Sequence, residues 1–428
     1  MEVHALHFST PNFIFLPDVL HMNSIDCRFK LRRFLLAAIM GAGLGAAAPV
    51  FAQTALAKSY LIDTNTWEAK EIVFSGRDTF ARGINDLGQV TGYTVTADRD
   101  QHAFVTGPNG VGITDLGTLG GKNSVAEGIN SAGRVVGWSE TAEDSAHAFI
   151  TGLNGAGMAD MGTLGGQTSA AQAISAAGQV VGYSDTSSGS RHGFITGLNG
   201  AGMADLGTLG GAETYAFGIN AAGRVVGYSS TTNGNSHAYI TGANGLGMTD
   251  LGTLGGGFSS ALGINSAGRV VGFSDTADGA RHAFITGSDG VGITDLGTLG
   301  GDFSFAKAVN NAGQAVGDSF YGALALGMTH PFITGANGVG MTDLNTLAHL
   351  PAGVVLTEAG GINNSGQLVA IAAVIPEPAT YALMLAGLTL FGVMAGWKRR
   401  TKRALTDSAS SAPLGPQRRA QRFILRSQ

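Results

Sequence analysis

Cysteine is almost missing from this chain. The single one, Cys27, lies ahead of everything that reads as folded protein, so disulfides and thiol chemistry are excluded from the remainder. Basic residues are scarce in the middle as well. Four Lys and Arg cluster at positions 28–33 and nine at 398–426, which leaves twelve between them against 25 Asp and Glu. That acidic balance argues against nucleic acid or anionic lipid as a partner and favours solubility outside the cell. Catalytic signatures are lacking too. There is no Gly-x-Ser-x-Gly elbow and no His-Glu-x-x-His helix. The glycines at 117, 120 and 121 before Lys122 miss the phosphate-loop spacing, and Asp98–Asp100 lacks the order of a calcium loop.

What is present is repetition. His102, His147, His192, His237 and His282 each open a copy of one stretch, 45 residues apart. A sixth copy starts at His330, and a degenerate one precedes them at Lys58–Tyr60. Each copy holds four short runs suited to extended structure, as in HAFVT, GITDLGTL, SVAEGIN and RVVGWS. Asn109-Gly110 and its equivalents join the first two runs; both residues tolerate positive φ, as a type I′ hairpin requires. Asn130-Ser131-Ala132-Gly133 joins the last two as a type I turn relieved by glycine. Continuous apolar pairs such as Val135-Val136 and Phe149-Ile150 require cover on both faces, which stacking supplies.

The fold class expected is therefore all-β: a seven-copy repeat of four-stranded antiparallel units over residues 58–373, forming a seven-bladed β-propeller, with an open β-solenoid as the alternative. The polar links Glu140–Ala146, Asp185–Arg191, Ser230–Ser236 and Asp275–Arg281 read as blade-to-blade loops.

Six histidines at one position per copy invite a metal ring, but one ligand per blade is spread too widely for one ion. The spacing favours hydrogen-bonding structural histidines. Asp115, Asp160, Asp205, Asp250, Asp295 and Asp343 read as holders of backbone amides. No metal, cofactor or catalytic set is assigned. Two departures from register stand out. The link before His330 is longer and carries Phe320, Tyr321, Leu324 and Leu326, and LAHLPAGVVL (347–356) lengthens the last copy. Phe320, Tyr321, Leu347, Leu350, Val354, Val355 and Leu356 form a candidate binding patch; the competing reading makes them a device that closes the ring.

The ends carry addresses. Residues 1–52 form a signal region whose start could be Met22. A basic segment precedes an apolar run at 34–48 and a small-residue cleavage site between Ala52 and Gln53, with Ala55-Leu56-Ala57 as an alternative. After Val374, the uncharged stretch 379–397 is long enough to span a bilayer as a helix and is followed by Lys398, Arg399 and Arg400. Residues 401–428 read as a basic disordered tail.

Two resemblances follow. Pro376-Glu377-Pro378, the apolar segment and Lys398-Arg399-Arg400, together spanning 374–400, resemble the PEP-CTERM sorting signal of Gram-negative bacteria, although this chain continues to Gln428. The resemblance implies processing near Pro-Glu-Pro by an exosortase in an exopolysaccharide-producing organism, with 379–397 in the membrane only transiently. The His-Ala-Phe openings at 102, 147 and 282 resemble the HAF family of extracellular repeats, which implies location and no settled activity. The function expected is an exported, non-catalytic surface or matrix interaction protein that meets an exopolysaccharide or an envelope protein. The alternative is a polysaccharide hydrolase or lyase with its site in the propeller channel. Polar positions shared by nearly all copies favour the first reading.

Overall fold

The computed structural model describes residues 57–74, 77–321 and 329–374. Within that span 28 strands form seven four-stranded antiparallel units, with a short 3-10 turn between the third and fourth strands of six of them. Sheet I comprises Thr79–Ile84, Val90–Val95, Gln101–Thr106 and Ile113–Asp115, in that order. Sheets II to VI repeat the plan at 120–160, 165–205, 210–252, 255–297 and 300–343. Single parallel bridges, Ser236 to Phe258 and Arg281 to Phe303, tie sheet IV to V and V to VI.

Sheet VII is composite. Val354–Ile362 and Gln367–Val374 supply two strands from the end of the described chain, and Ala57–Asp63 and Ala69–Ile72 supply two from its beginning. Ala57–Asp63 pairs with the late strand over its whole length, from Ala57 opposite Ala373 to Asp63 opposite Gln367. The first strand of each sheet touches the first strand of the next, and Val354–Ile362 of sheet VII touches Thr79–Ile84 of sheet I. These seven strands make the inner wall of a closed ring, in the manner of a β-propeller, and the open solenoid is excluded.

Copy and blade do not coincide. The repeat opened at its histidine places four runs in one sheet, yet Gln101–Thr106 and Ile113–Asp115 end sheet I, whereas Gly120–Ile129 and Val135–Thr141 begin sheet II. A periodic sequence fixes spacing but not phase. The crossing between blades lies at Leu119-Gly120. The polar links expected there instead turn between the second and third strands of one blade: Thr141 N donates to Ser145 O at 2.8 Å. The turn chemistry holds. Asn109 sits at φ 53° and ψ 35° with Gly110 at φ 63°, and Val111 N donates back to Pro108 O.

The core is laid down between blades. Val136, Ala148 and Ile150 of sheet II pack on Ala171, Ile174, Val180 and Phe194 of sheet III, and the pattern recurs around the ring. Phe104, Phe149, Phe194, Phe284 and Phe332 are wholly buried, each contributing about 1.5–3 kcal/mol. Where no ladder runs between blades, buried hydroxyls bridge them. Ser124 Oγ of sheet II accepts from Ala103 N at 2.9 Å and donates to Gly117 O at 2.6 Å. Glycine is required at 137, where a Cβ would lie 1.9 Å from Val125 O. First and second strands cross there in close contact.

Candidate functional site

The repeated polar residues are committed to architecture. Each histidine reaches across its hairpin through Nδ1: His102 to Asp115 at 2.9 Å, His147 to Asp160 at 2.8 Å, His192 to Asp205 and His237 to Asp250 at 2.7 Å, His282 to Asp295 at 2.8 Å and His330 to Asp343 at 2.6 Å. The other carboxylate oxygen accepts a backbone amide two residues on, as Asp115 Oδ1 does from Gly117 N and Asp343 Oδ1 from Asn345 N, both at 2.8 Å. The clasp therefore fixes the turn that hands the chain to the next blade. Among the described residues no group of three or more His, Cys, Asp or Glu is arranged to hold a metal ion.

The apolar departures are largely consumed by the seam. Leu356 is fully buried, and Leu347, Leu350 and Val354 pack against the cluster of Tyr60, Ile62, Leu344 and Leu368, which draws on both ends of the described chain. His349 N donates to Trp67 O at 2.8 Å, tying the inserted segment to the early strands. Val355 is half-buried in the strand itself. Of the candidate patch in this segment, Leu356 is buried, while Leu347, Leu350, Val354 and Val355 are half-buried and cover part of the composite blade. Phe320 stacks edge-on against Phe303, with centroids 5.5 Å apart. Tyr321 stays 57% exposed and stacks on His330 at 4.7 Å. Leu324 and Leu326, Ala52 and Gln53, the sorting residues Pro376, Glu377, Pro378, Lys398, Arg399 and Arg400, and the apolar segment 379–397 lie outside the described residues. Among the described residues no helix is long and apolar enough to cross a membrane.

The asymmetric chemistry lies at the axis. In sheet I, Ala81 pairs with Gly92 and Gly83 with Thr91, which leaves Arg82 as the extra residue of a β-bulge on the inner strand. Glu127, Gln172, Phe217, Leu262 and Lys307 are the bulged residues of sheets II to VI. A bulge bends its strand and re-aims one side chain. The residue before it is alanine in all six copies, at 81, 126, 171, 216, 261 and 306. The bulge itself varies from cation to carboxylate, amide, ring and alkyl. The expectation that polar positions are shared by nearly all copies fails here.

Taken round the ring, Lys307 of sheet VI, Arg82 of I and Glu127 of II stand at the bulge, whereas in sheet VII Gly360 takes that position and Glu358, paired with Ile371 just before it, supplies the charge; the four alternate in sign, and Gln172, Phe217 and Leu262 complete the wall. Lys307 is ion-paired with Asp318 and lies 3.7 Å from Glu358. Asp318 occupies the second-strand position that holds Tyr93, Trp138, Tyr183, Tyr228 and Phe273 in sheets I to V. Its Oδ1 accepts from Ala359 N at 2.8 Å and so ties sheet VI to VII.

Crowding by the inner strands strips these groups of water although their side chains are not fully covered. Burial pushes the Asp318 carboxyl up to about 6, opposed by Lys307 and assisted by Glu358. Burial alone would lower Lys307, but Asp318 and Glu358 hold it above its ordinary value. Burial likewise raises Glu127, with Arg82 pulling the other way. Arg82 in turn is held above its ordinary value, chiefly by the Glu127 carboxylate. Its guanidinium stands 5.7 Å from the Tyr93 ring centroid, and its Nε is buried without a hydrogen-bond partner. Beside this arc runs an aromatic wall in which Tyr215 meets Tyr228 at 4.8 Å, Tyr183 at 5.2 Å and Phe217 at 6.3 Å. The arrangement supplies fixed donors, acceptors and ring faces. Variation between copies at a constant register was the signal that pointed to it.

Comparison with known proteins gives an address more than an activity. No curated protein matches the chain. Among solved structures, the chain is similar to TolB from Acinetobacter baumannii, at 12% identity and a TM-score of 0.44, over 59% of this chain and 62% of that one. It thus spans less than two thirds of that structure. A putative TolB from Agrobacterium tumefaciens is similar at 9% identity and a TM-score of 0.46, over 76% and 100% of the two chains. An oligogalacturonate lyase in complex with manganese is similar at 9% identity and a TM-score of 0.45, over 75% and 91%. Likeness at this level carries no activity across. Residues 374–400 match the PEP-CTERM protein-sorting motif, which marks an exported, envelope-associated protein processed by an exosortase.

Proposed function

We propose that this protein is a non-catalytic interaction module held at the cell surface or in the extracellular matrix, its ring serving as a rigid carrier for one binding arc at the axis. The observation that supports the reading is the confinement of Lys307, Glu358, Arg82 and Glu127 to four adjacent blades of a ring that otherwise repeats itself. Stacking needs no such asymmetry. In this reading residues 1–52 direct export and 58–373 are a seven-bladed propeller of HAF-type repeats. The apolar stretch 379–397 crosses the membrane until an exosortase cuts near Pro376-Glu377-Pro378, and the tail 401–428 is discarded. The partner is an exopolysaccharide or an envelope protein of an exopolysaccharide-producing Gram-negative cell. The test is to express the full chain in an exosortase-bearing host and to fractionate the cells. The ring should appear at the surface or in the matrix, accessible to added protease; a cytosolic pool of intact chain overturns the reading.

A second reading, a hydrolase or lyase acting on extracellular polysaccharide, draws on the raised carboxyls of Asp318 and Glu127 in one arc. Asp318 is already engaged by Lys307 and by Ala359 N, which weakens its claim as an acid catalyst. Release of new reducing or unsaturated ends from a polysaccharide, abolished by Glu127→Gln, would establish this reading in place of the first.

A further inference from the structure

We propose that the axial arc around Arg82 and Glu127 binds an uncharged saccharide chain, gripping vicinal hydroxyls between the two side chains. The inference rests on the interaction-module reading and adds the chemical class of the ligand.

Arg82 and Glu127 project from bulges on inner strands that touch one another. Arg82 Nε is a buried donor with no acceptor. Glu127 is half-buried, with the Arg82 cation near it, and among the described residues its carboxylate has no hydrogen bond or ion pair. A buried donor without an acceptor thus lies one blade from a half-buried carboxylate that no protein donor engages among the described residues. A buried polar group left unmade is costly, so a ligand that brings an acceptor to Arg82 and a donor to Glu127 gains most at Arg82.

Charge narrows the class. An anion would satisfy Arg82 and meet Glu127, Glu358 and Asp318; a cation would satisfy Glu127 and meet Arg82 and Lys307. Alternating sign around the arc therefore selects against net charge of either kind. A peptide backbone is neutral as well, and an extended residue presents its N–H and C=O on one side, so it is the competing ligand that the titration separates. Vicinal hydroxyls present a donor and an acceptor side by side and match the pair. The rest of the wall suits the same ligand. Gln172, next round the ring, offers another amide donor and acceptor. Phe217, packed beside Tyr215 and Tyr228, offers a ring face to the C–H face of a sugar.

The experiment is isothermal titration of the processed, exported protein with cellohexaose, maltohexaose and a chitin hexamer. A galacturonate hexamer, a chitosan hexamer and a Gly-Ser dodecapeptide serve as controls. At least one uncharged saccharide should bind, more tightly than every control, and Glu127→Gln and Phe217→Leu should each weaken it at least tenfold with an unchanged unfolding transition. If Glu127→Gln perturbs the fold, Gln172→Ala takes its place with the same expectation. Binding by none of the uncharged saccharides, tighter binding of a charged oligomer or the peptide, or affinity indifferent to the variants overturns the proposal. Surface retention is scored separately. A protein that is retained but binds no uncharged saccharide refutes only the ligand class, whereas one that is neither retained nor binding removes both readings.

Discussion

Asn363 Nδ2 donates to the backbone carbonyl of Asn85 at 2.9 Å across 278 residues of chain, and Asn85 Nδ2 donates in the same way, also at 2.9 Å, to Asn130 only 45 residues on. The link recurs from Asn130 to Ser175 O, Asn220 to Asn265 O and Asn265 to Asn310 O. The seam between the two ends of the ring is thus built from the same buried contact as the ordinary junctions. Because the contact is buried, Asn363→Ala should cost about 1–3 kcal/mol in urea denaturation. A loss near zero would show that the link is incidental to closure.

Shortening 347–356 to the length of the other copies should destabilise the ring, because Leu356 and the side chains packed around it fill the seam. Leu356→Ala alone should cost roughly 2–5 kcal/mol, the range for a buried leucine. Thermal unfolding of both variants provides the check. A trimmed protein with undiminished stability would return this segment to the list of candidate contact surfaces.

Acidity should act on the ring through Asp318. Its carboxyl titrates at about 6 in the folded ring and near 3.8 in the unfolded chain, so the folded state takes up the proton first. That contribution to stability is complete below about 3.8 and is lost as pH climbs through about 6. The parent should therefore lose on the order of 1–3 kcal/mol relative to Asp318→Asn between pH 4 and pH 7. Denaturant titrations at each pH measure the difference, and a change of the opposite sign would refute the assignment.

Processing should follow the terminal signals. In an exosortase-bearing host, intact mass should give a chain that begins near Gln53 and lacks 379–397. Replacing Pro376, Glu377 and Pro378 with alanine should leave the C-terminal segment attached. Identical masses for the parent and the triple variant would dissociate this motif from processing.

Breaking one His–Asp clasp should matter little. The carboxylates are partly exposed, and six copies share the task, so Asp295→Ala should cost about 1 kcal/mol or less. The loss should appear as faster hydrogen exchange at Gly297, whose amide the carboxylate accepts. Global unfolding from this one change would mean that the clasps act as a cooperative ring.

The parts of the fold set by local chemistry were readable from the chain alone. Asn109-Gly110 adopts the two positive φ angles its residue types permit, and each of the six repeated histidines is paired with the aspartate of its own hairpin. Phase was not readable, since the glycine break at Leu119-Gly120-Gly121 and the polar link after Thr141 both read as interruptions between strands. Only the packing of serines such as Ser124 beneath the preceding blade distinguishes them. The axial arc is not legible in what the copies share. Arg82, Glu127 and Lys307 occupy one register, but they resemble each other in nothing except their neighbours. The insertion at 347–356 announced itself by length, yet its partner surface, Tyr60 and Ile62, lies some three hundred residues away and no local pattern connects them.

The composite blade bears on how such a chain can change. The strands that lock the ring come from its two ends, while most of what lies between them is built of 45-residue modules. Recombination between near-identical copies would add or remove a whole number of blades and leave the lock intact. What each event alters is the composition of the wall at the axis, since every module brings or withdraws one bulged side chain. The repeats therefore make a lineage tolerant of changes in copy number and, by the same exchange, able to reshuffle what the ring presents at its centre.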